Sequence, residues 1–422
     1  MKTFAQPFFK HTFTFMVIML CFFSLQGYAF ERCLWDEGWR FALHKGNSPH
    51  QKSFDDSGWR LLNLPHDWAI EDDFYAQNPS GATGGALPGG IGWYRKHLTL
   101  HDNDATSRYV LHFDGAYMNT SLYVNGKLVG TRPYGFISFS FDLTPYLNKQ
   151  GDNVVAVKVD NSEQPNSRWY TGCGIYRHVY LMKSTDIRVA QWGVQAIPEV
   201  KKGVAKLTLN TQIENPSGRN RKVTVRQKLW NKAHQLVAQT TKTLNVEALG
   251  ATVTQQMRAQ KPQLWSLASP YLYTVTTEIV ENGRVLDTET TTIGFRTIAF
   301  DVEKGFFLNG ENIKLNGVCL HGDLGCLGAA VNEDALHRQL IMMKEMGANA
   351  IRCSHNPPAP ELLDLCDSMG FVVVDESFDS WLQGKTPYDY SLHFKSWYER
   401  DLRDMVLRDR NHPSIILWSI GN

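Results

Sequence analysis

The sequence lacks an excess of charge of either sign. Its 43 Lys and Arg residues balance 42 Asp and Glu residues, which leaves a formal net charge of +1. Proteins that bind nucleic acids or anionic membranes electrostatically carry a basic excess or a basic patch. The balanced composition therefore argues against a nucleic-acid partner. Hydrophobic residues at 43% and charged residues at 20% are typical of a soluble globular protein.

The sequence also lacks an apolar run long enough to span a bilayer, which takes about 20 residues in a helix. The apolar run near the N-terminus extends only from Phe13 to Leu25. Two lysines precede it, and small residues at Gly27 and Ala29 follow it in the pattern of a cleavage site. We predict a cleaved signal peptide over residues 1–29 and a secreted or periplasmic protein without a membrane span.

No Cys-x-x-Cys pair is present, which argues against a zinc ribbon or a thioredoxin-like site. Of the seven cysteines, six remain once residues 1–29 are removed, and their spacing is irregular. Export makes disulfides chemically feasible, but the spacing favours no particular pairing.

Residues 30–184 contain short strands that are broken by Gly, Pro and Asn. The run from Thr120 to Val129, interrupted by Asn125-Gly126, predicts a hairpin with a type I′ turn. Residues 153–159 predict a further strand. The segment 78–92 holds six glycines and two prolines, which predicts a long loop. Together these signals predict a β-sandwich of the jelly-roll type.

Residues 185–297 continue with strands at a spacing typical of an immunoglobulin-like sandwich. Residues 206–213 alternate cleanly, which places Leu207, Leu209 and Ile213 on one face of a strand. Residues 273–280 lead into Asn282-Gly283 and a return strand. This domain shows no obvious catalytic chemistry, so we interpret it as a spacer or brace.

Residues 298–422 change to an alternation of strands and helices. Strands are predicted at residues 313–320, 350–353, 371–375 and 414–420. The helices are predicted from an Asn332 cap to Gly347, from Pro360 to Gly370, and over residues 394–410, because Asn, Pro and Gly favour those end positions. Four such repeats predict the first half of a TIM (β/α)8 barrel.

Polar residues follow all four of these strands. They are His321 after the first, residues 352–356 at the second, Asp375-Glu376 at the third and Gly421-Asn422 after the fourth. Because the active sites of such barrels lie at the carboxyl ends of the strands, these positions predict a functional site.

From about Trp35 to the last residue the chain carries motifs at residues 65–68, 92–95, 169–177, 317–321, 351–357, 373–376 and 409–422. Together they resemble glycoside hydrolase family 2. The segment 409–422 resembles the signature whose next residue is the catalytic acid/base Glu, and residues 317–321, 351–357 and 373–376 resemble the first three barrel strands. Three further motifs resemble the sugar-binding domain: Pro65-His-Asp-Trp68, Gly92-Trp-Tyr-Arg95 and Trp169-Tyr-Thr-Gly-Cys-Gly-Ile-Tyr-Arg177. The sequence Arg-Cys-Ser-His favours β-galactosidases, although β-glucuronidases and β-mannosidases share the architecture.

The resemblance implies roles for individual residues. His321 and His355 match histidines that contact the sugar, and Arg352 matches an arginine that orders the carboxylates at the barrel mouth. Asn422 matches an asparagine that contacts the sugar 2-hydroxyl. Arg168 and Trp169 fall on a loop of the N-terminal domain that is expected to reach over the site.

The family's retaining mechanism requires two carboxylates about 5–5.5 Å apart. The resemblance implies that the acid/base would directly follow Asn422 and that the nucleophile lies further downstream. No catalytic carboxylate is therefore predicted among residues 1–422, and we expect this chain by itself to be inactive. Asp375 and Glu376 are interpreted as structural or supporting residues.

Many β-galactosidases of this family bind magnesium through a Glu and a His after the third strand. The corresponding positions hold Ser380 and Leu382, which are poor ligands for a hard cation. Asp379 nearby is interpreted as a solvated, exposed carboxylate. We therefore predict no metal and no cofactor.

The predicted partner is a carbohydrate, namely a terminal β-galactoside of an oligosaccharide or polysaccharide. The aromatic content of 12% agrees with this prediction, since aromatic rings pack on sugar C–H faces. A non-catalytic carbohydrate-binding protein is the alternative. The sequence leaves homo-oligomerisation open.

Overall fold

A computed structural model describes residues 30–46, 48–184 and 187–422. The predicted signal peptide lies outside these residues. None of the helices in the described ranges has the length and apolar character that a membrane crossing requires. The chain forms two β-sandwiches followed by a parallel sheet with helices, which confirms the predicted fold class.

The first sandwich packs a six-stranded sheet, in the order β3-β2-β4-β9-β6-β7, against a four-stranded sheet, in the order β1-β10-β5-β8. Its core is aromatic, with Trp39, Tyr94, Phe113 and Phe139 at most 2% exposed. The strands are β1 (Phe30–Leu34), β2 (Trp39–Leu43), β3 (Arg60–Leu62), β4 (Gly90–His101), β5 (Arg108–Phe113), β6 (Thr120–Val124), β7 (Lys127–Arg132), β8 (Phe139–Asp142), β9 (Gln150–Asn161) and β10 (Val179–Ser184).

The predicted hairpin is confirmed. Strands β6 and β7 pair antiparallel around Asn125 and Gly126, whose φ angles are 50° and 84°. Two successive positive φ angles define a type I′ turn, and Asn followed by Gly tolerates them best. The predicted loop is three residues too long at its end, because Gly90 already pairs with Asn161 as the first residue of β4.

The second sandwich packs a three-stranded sheet, β11-β12-β15, against a four-stranded sheet, β14-β13-β16-β17. Leu207, Leu209 and Ile213 of β12 are buried in its core, as their alternation predicted. The strands are β11 (Arg188–Lys201), β12 (Val204–Glu214), β13 (Arg221–Trp230), β14 (Leu236–Val246), β15 (Ala251–Gln260), β16 (Tyr273–Glu281) and β17 (Arg284–Ile293).

The third part contains a small sheet and a parallel sheet in the order β21-β22-β23-β24. Sequential parallel neighbours are the arrangement of one wall of a barrel. Its strands are β18 (Ile298–Asp301), β19 (Gly305–Leu308), β20 (Glu311–Asn312), β21 (Gly317–Leu320), β22 (Ala350–Cys353), β23 (Val372–Glu376) and β24 (Ile415–Ser419), and its helices are α1 (Glu333–Glu345), α2 (Pro360–Met369) and α3 (Ser391–Asp409). Short 3-10 turns lie at Ser48–His50, Trp68–Glu71, Thr144–Tyr146 and Gly325–Leu327.

Helix ends agree closely with the sequence signals. The Asn332 side chain accepts a hydrogen bond from the Ala335 backbone N–H at 2.9 Å, which caps α1. Gly370 ends α2 with φ 77°, in the left-handed region that favours glycine. The first barrel strand begins at Gly317 rather than at residue 313, because residues 311–312 pair with β19 and the Ile313 N–H still donates to the Phe306 carbonyl of β19 at 2.9 Å.

The first sandwich docks on the carboxyl end of the parallel sheet. Arg177 donates hydrogen bonds to the carbonyls of Pro357 and Pro358, each at 3.0 Å. The Tyr134 hydroxyl donates to the Ser377 carbonyl at 2.5 Å. These contacts lie just beyond β22 and β23, so loops of the sandwich are placed at the barrel mouth.

At the amino end of the same sheet, His412 contacts the C-terminal part of α2. Its Nδ1 lies 2.6 Å from Oδ2 of Asp367. Burial lowers the pKa of His412, but the charges of Asp367, Asp409 and Asp364 and the hydrogen bond to Asp367 outweigh burial and raise the pKa to about 9. The folded state therefore binds this proton more tightly than the unfolded state, in which the pKa of histidine is about 6.5.

We expect His412 to make stability depend on pH. Its contribution, up to about 3 kcal/mol, is complete below about pH 6.5 and is lost as the pH rises through 9. His412→Gln should remove that part of the decline in urea midpoint between pH 6.5 and 9.5. His234→Gln, at an exposed loop position, is the control. If the urea midpoint declined equally in the wild type and in His412→Gln, His412 would not be the source of this pH dependence.

Candidate active site

The carboxyl ends of β21, β22, β23 and β24 meet at one mouth. His321 follows β21, Arg352 lies in β22, Glu376 ends β23, and Asn422 lies three residues beyond β24. Parallel neighbouring strands end at the same edge of a sheet, so side chains from distant parts of the sequence become neighbours here.

Glu376 is the buried centre of this group, with no exposed surface. Its Oε2 accepts hydrogen bonds from Arg352 Nε at 3.0 Å, Arg352 Nη2 at 2.8 Å and Ser419 Oγ at 2.8 Å. Its Oε1 accepts from His355 Nδ1 at 2.7 Å. The paired geometry fixes the guanidinium plane of Arg352 and raises its pKa through the hydrogen bond to Glu376.

Both histidines use the same ring nitrogen, Nδ1, for a contact within the protein. Nδ1 of His321 lies 2.7 Å from the Ser354 carbonyl oxygen, and Nδ1 of His355 lies 2.7 Å from the Glu376 carboxylate. Each acceptor requires an N–H on Nδ1, which leaves Nε2 for a ligand. Burial lowers the pKa of His355 despite the neighbouring Glu376, so its ring is favoured in the neutral form.

Trp169 reaches over both histidines from the first sandwich. Its ring stacks on His321 with centroids 4.8 Å apart and planes 13° apart, and it meets His355 edge-on at 5.5 Å. The two histidine rings lie 5.8 Å apart. Trp169 is only 9% exposed, so this packing holds the histidine rings in place.

Asn422 and Asp379 form the other side of the mouth. Asn422 Oδ1 accepts from Arg352 Nη2 at 3.2 Å, and its Nδ2 donates to Asp379 Oδ1 at 3.1 Å. Arg168 donates to Asp379 through Nε at 3.0 Å and Nη2 at 2.5 Å, and Lys385 Nζ lies 3.2 Å away. Burial alone would raise the pKa of Asp379, but these hydrogen bonds lower it to about 2.

A cleft of about 390 Å³ lies beside these groups. Trp169, His355 and Asp379 line it together with Phe136 and Tyr390. The combination of aromatic walls with a few polar groups is typical of small-molecule sites.

The structure brings all six predicted site residues to this mouth, although their roles in binding remain predictions. The sequence reasoning missed Asp379, which was expected to be exposed and solvated. That expectation is wrong, since its side chain is 13% exposed and held by two cations. Its partner Arg168 lies 211 residues earlier in the chain, so no local pattern could reveal the pair.

Asp375 is separate from this group. Successive side chains of a strand point to opposite faces, and Asp375 accordingly faces the helix layer near Arg408 and Asp409. Burial raises the pKa of Asp375 well above its ordinary value, and the nearby Asp409 raises it further. The surroundings of Asp375 therefore favour its protonated form, and it is a buried acid of the helix layer rather than a group of the mouth.

Ligands for a metal ion meet elsewhere. Within the part of the chain that the structure describes, one group, Asp364, Asp367 and His412, brings three such ligands within 4.8 Å of one another. It lies at the amino end of the sheet, where barrels carry residues for stability. At the mouth, Ser380 is buried and Leu382 is 72% exposed, and neither offers a good ligand for a hard cation.

Three family models match the chain in succession. They are glycosyl hydrolases family 2, sugar binding domain, over residues 35–185; glycosyl hydrolases family 2 over residues 187–296; and glycosyl hydrolases family 2, TIM barrel domain, over residues 300–422. The chain belongs to glycoside hydrolase family 2. The exact boundaries that the sequence predicts between the three domains of this family 2 chain stay predictions.

Individual relatives agree with this assignment. The chain is 54% identical over 394 residues to the β-galactosidase BoGH2A of Bacteroides ovatus, covering 93% of this chain and 46% of that protein. It is 39% identical over 402 residues to a putative β-glucuronidase of Formosa agariphila, covering 92% of this chain and 37% of that protein. The family 2 chain thus spans less than half the length of these curated relatives.

Solved structures show the same architecture. A glycosyl hydrolase family 2 member from Bacteroides cellulosilyticus matches with a TM-score of 0.90 at 39% identity, covering 93% of this chain and 51% of that one. A β-glycosidase from Bacteroides vulgatus matches with a TM-score of 0.88 at 40% identity, covering 93% and 50%.

Proposed function

We propose that the chain belongs to a retaining glycoside hydrolase that cleaves terminal β-galactosides. The residues at the barrel mouth form the part of its active site that binds the sugar. The 54% identity to a protein named β-galactosidase supports the substrate class. The retaining mechanism is the expectation that follows from the family resemblance.

One observation carries the proposal: the mouth presents hydrogen-bonding groups that are already oriented. His355 and Asp379 line the cleft; the His321 ring lies 5.8 Å from that of His355, and the amide of Asn422 contacts Asp379. Glu376 holds His355, and the Trp169 ring stacks on His321. Groups that are held in place before the substrate binds cost little reorganisation when it arrives. Sugar hydroxyls both donate and accept, which suits neutral imidazole and amide groups.

We also propose that residues 1–422 alone do not hydrolyse galactosides. Glycoside hydrolysis needs one carboxyl group that donates a proton and a second carboxylate that attacks. In the described mouth, Glu376 is buried behind Arg352. Asp379 pairs with Arg168, and its pKa of about 2 keeps it ionised at neutral pH. Neither group suits the proton-donating role.

The charge arrangement favours a neutral sugar over a uronic acid. Recognition of a glucuronide requires a cation that is available for its carboxylate. Arg168 and Lys385, the cations beside Asn422, both contact Asp379 instead, and Arg352 contacts Glu376. A β-glucuronidase, the name of several relatives, is therefore the less favoured activity, and a β-mannosidase has no specific support.

Hydrolysis of a panel of aryl β-glycosides tests the proposal. The enzyme encoded by the complete reading frame that carries these residues should cleave the β-galactoside with a kcat/KM at least about tenfold above those for the β-glucuronide, β-glucoside and β-mannoside, a difference of about 1.4 kcal/mol. Residues 30–422 expressed alone should show no turnover above a heat-inactivated sample.

The outcomes separate the alternatives. A preference for the β-glucuronide would overturn the substrate assignment while keeping the family. Binding of galactosides without turnover by the complete protein would support the non-catalytic alternative. Turnover by residues 30–422 would show that the roles of Glu376 and Asp379 are assigned wrongly.

A further inference from the structure

The side-chain amide of Asn422 is held at both ends. Arg352 donates to its oxygen at 3.2 Å, and its nitrogen donates to Asp379 at 3.1 Å. A flipped amide would place NH2 against the guanidinium and oxygen against the carboxylate, and both contacts would become repulsive. Only one orientation of the amide therefore satisfies its neighbours.

The two groups that hold this amide are themselves anchored by charge. Arg352 is fixed by the buried Glu376. Asp379 is fixed by Arg168, whose Nε and Nη2 contact the two carboxylate oxygens in a paired geometry. The hydrogen bonds that lower the pKa of Asp379 also keep it an acceptor over the whole neutral range. The chain of contacts thus runs from the first sandwich to Asn422.

The loop that carries Arg168 is well supported. Asn166 accepts a hydrogen bond from the Tyr117 hydroxyl at 3.1 Å and donates to Asn161 at 2.6 Å and to the Glu163 carbonyl at 2.7 Å. Trp169 is the residue after Arg168, and its ring stacks on His321. Arg168 therefore projects from a backbone that is fixed on both sides, so it reaches Asp379 with little loss of freedom.

We propose that Arg168 and Asp379 are positioning residues that fix the amide of Asn422 for the 2-hydroxyl of the sugar at the reacting carbon. The inference rests on the proposed function, in which Asn422 contacts that hydroxyl. The amide keeps one lone pair on Oδ1 and one N–H on Nδ2 for the sugar. A hydrogen bond to the 2-hydroxyl strengthens in the oxocarbenium-like transition state, so misorientation of the amide lowers kcat more than it raises KM.

The test compares an aryl β-galactoside with its 2-deoxy analogue in the complete enzyme. For Asp379→Ala and Arg168→Ala we expect kcat on the galactoside to fall about 10–100-fold, since small misplacements of reacting groups have effects of this size. On the 2-deoxy substrate the fall should stay below about threefold, because the contact being oriented is missing there. Arg168→Lys should recover part of the loss, as it keeps the charge without the paired geometry.

A double-variant measurement and a matched control sharpen the test. Asp379→Ala added to Asn422→Ala should cause little further loss, because residues that act through one contact are not additive. Arg221→Ala removes another paired arginine–carboxylate contact, the one with Glu281 in the second sandwich, and should leave both substrates unaffected.

The results distinguish the positioning role of Arg168 and Asp379 from the proposed function on which it rests. Equal losses on the two substrates, or no loss on either, would overturn the positioning role and leave the proposed function intact. A wild-type enzyme that prefers another β-glycoside would overturn the proposed substrate, and the same comparison with that glycoside and its 2-deoxy form would still decide the positioning role. A wild type without any glycosidase activity would overturn both.

Discussion

Arg132→Ala is expected to lower the free energy of unfolding by about 3–5 kcal/mol, the cost of leaving one partner of a buried ion pair without its counterion. Arg132 ends β7 in the first sandwich, and its Nη2 lies 2.6 Å from both Asp401 and Asp404 of α3. The side chains of Arg132 and Asp401 are at most 1% exposed. Removal of the guanidinium leaves Asp401 buried and also loosens the docking of the sandwich on the barrel wall.

The loss can be measured by urea unfolding, followed by tryptophan fluorescence and circular dichroism. Arg400→Ala is a matched control on the same helix, since Arg400 is 51% exposed and lies 3.9 Å from Asp404. Exposed pairs of this kind contribute at most about 1 kcal/mol. Replacing Arg132 by Met and Asp401 by Leu together should restore much of the stability, because apolar packing substitutes well for a buried pair. A loss for Arg132→Ala no larger than that for Arg400→Ala would contradict the docking role.

Glu376→Gln is expected to lower kcat/KM for the aryl β-galactoside by at least about 100-fold in the complete enzyme, which corresponds to about 2.7 kcal/mol of transition-state stabilisation. The substitution keeps the size of the side chain but removes the charge that Arg352 and His355 share. One amide N–H must then face a donor, either the guanidinium or the imidazole Nδ1. Both groups are expected to shift, and with them the amide of Asn422.

Ser419→Ala serves as the graded control, because it removes one donor to Glu376 without changing the charge. Its effect on kcat/KM should stay below about tenfold, in line with about 1 kcal/mol for one hydrogen bond. Unfolding midpoints measured alongside separate loss of structure from loss of activity. Equal kcat/KM values for Glu376→Gln and the wild type would show that the charge of Glu376 is not needed to hold Arg352 and His355 in place.

Much of the fold follows from local signals in the chain. The type I′ turn at Asn125-Gly126, the cap at Asn332 and the left-handed Gly370 were all predicted, because each depends on conformational preferences within a few residues. The largest error in a strand, at residues 313–316, arose where a neighbouring strand competed for the chain. Pairing partners of that kind are not encoded in hydropathy alone.

The residues of the site also fall into two groups, those that sequence patterns predicted and those that only the tertiary structure revealed. The sequence placed His321, Arg352, His355 and Asn422 at strand ends, since parallel strands in a barrel all deliver their last residues to one edge. It did not reveal Asp379 as an organised group, because Arg168, which pairs with both oxygens of its carboxylate, lies on a loop of another domain. The same limit applies to Arg132, whose partner Asp404 lies 272 residues away.

By itself, the sequence determined the order of the three domains, the period of their strands and the polar residues at the barrel mouth, because all of these are written in patterns a few residues long. The tertiary structure alone decided which charges meet: Arg168 with Asp379, Arg132 with Asp401, and Glu376 with both Arg352 and His355. Each of these pairs joins residues that are far apart in the sequence, so it forms only once the strands or the domains have packed together. Burial of a partner, as for Asp401 and Glu376, then strengthens its attraction to the opposite charge.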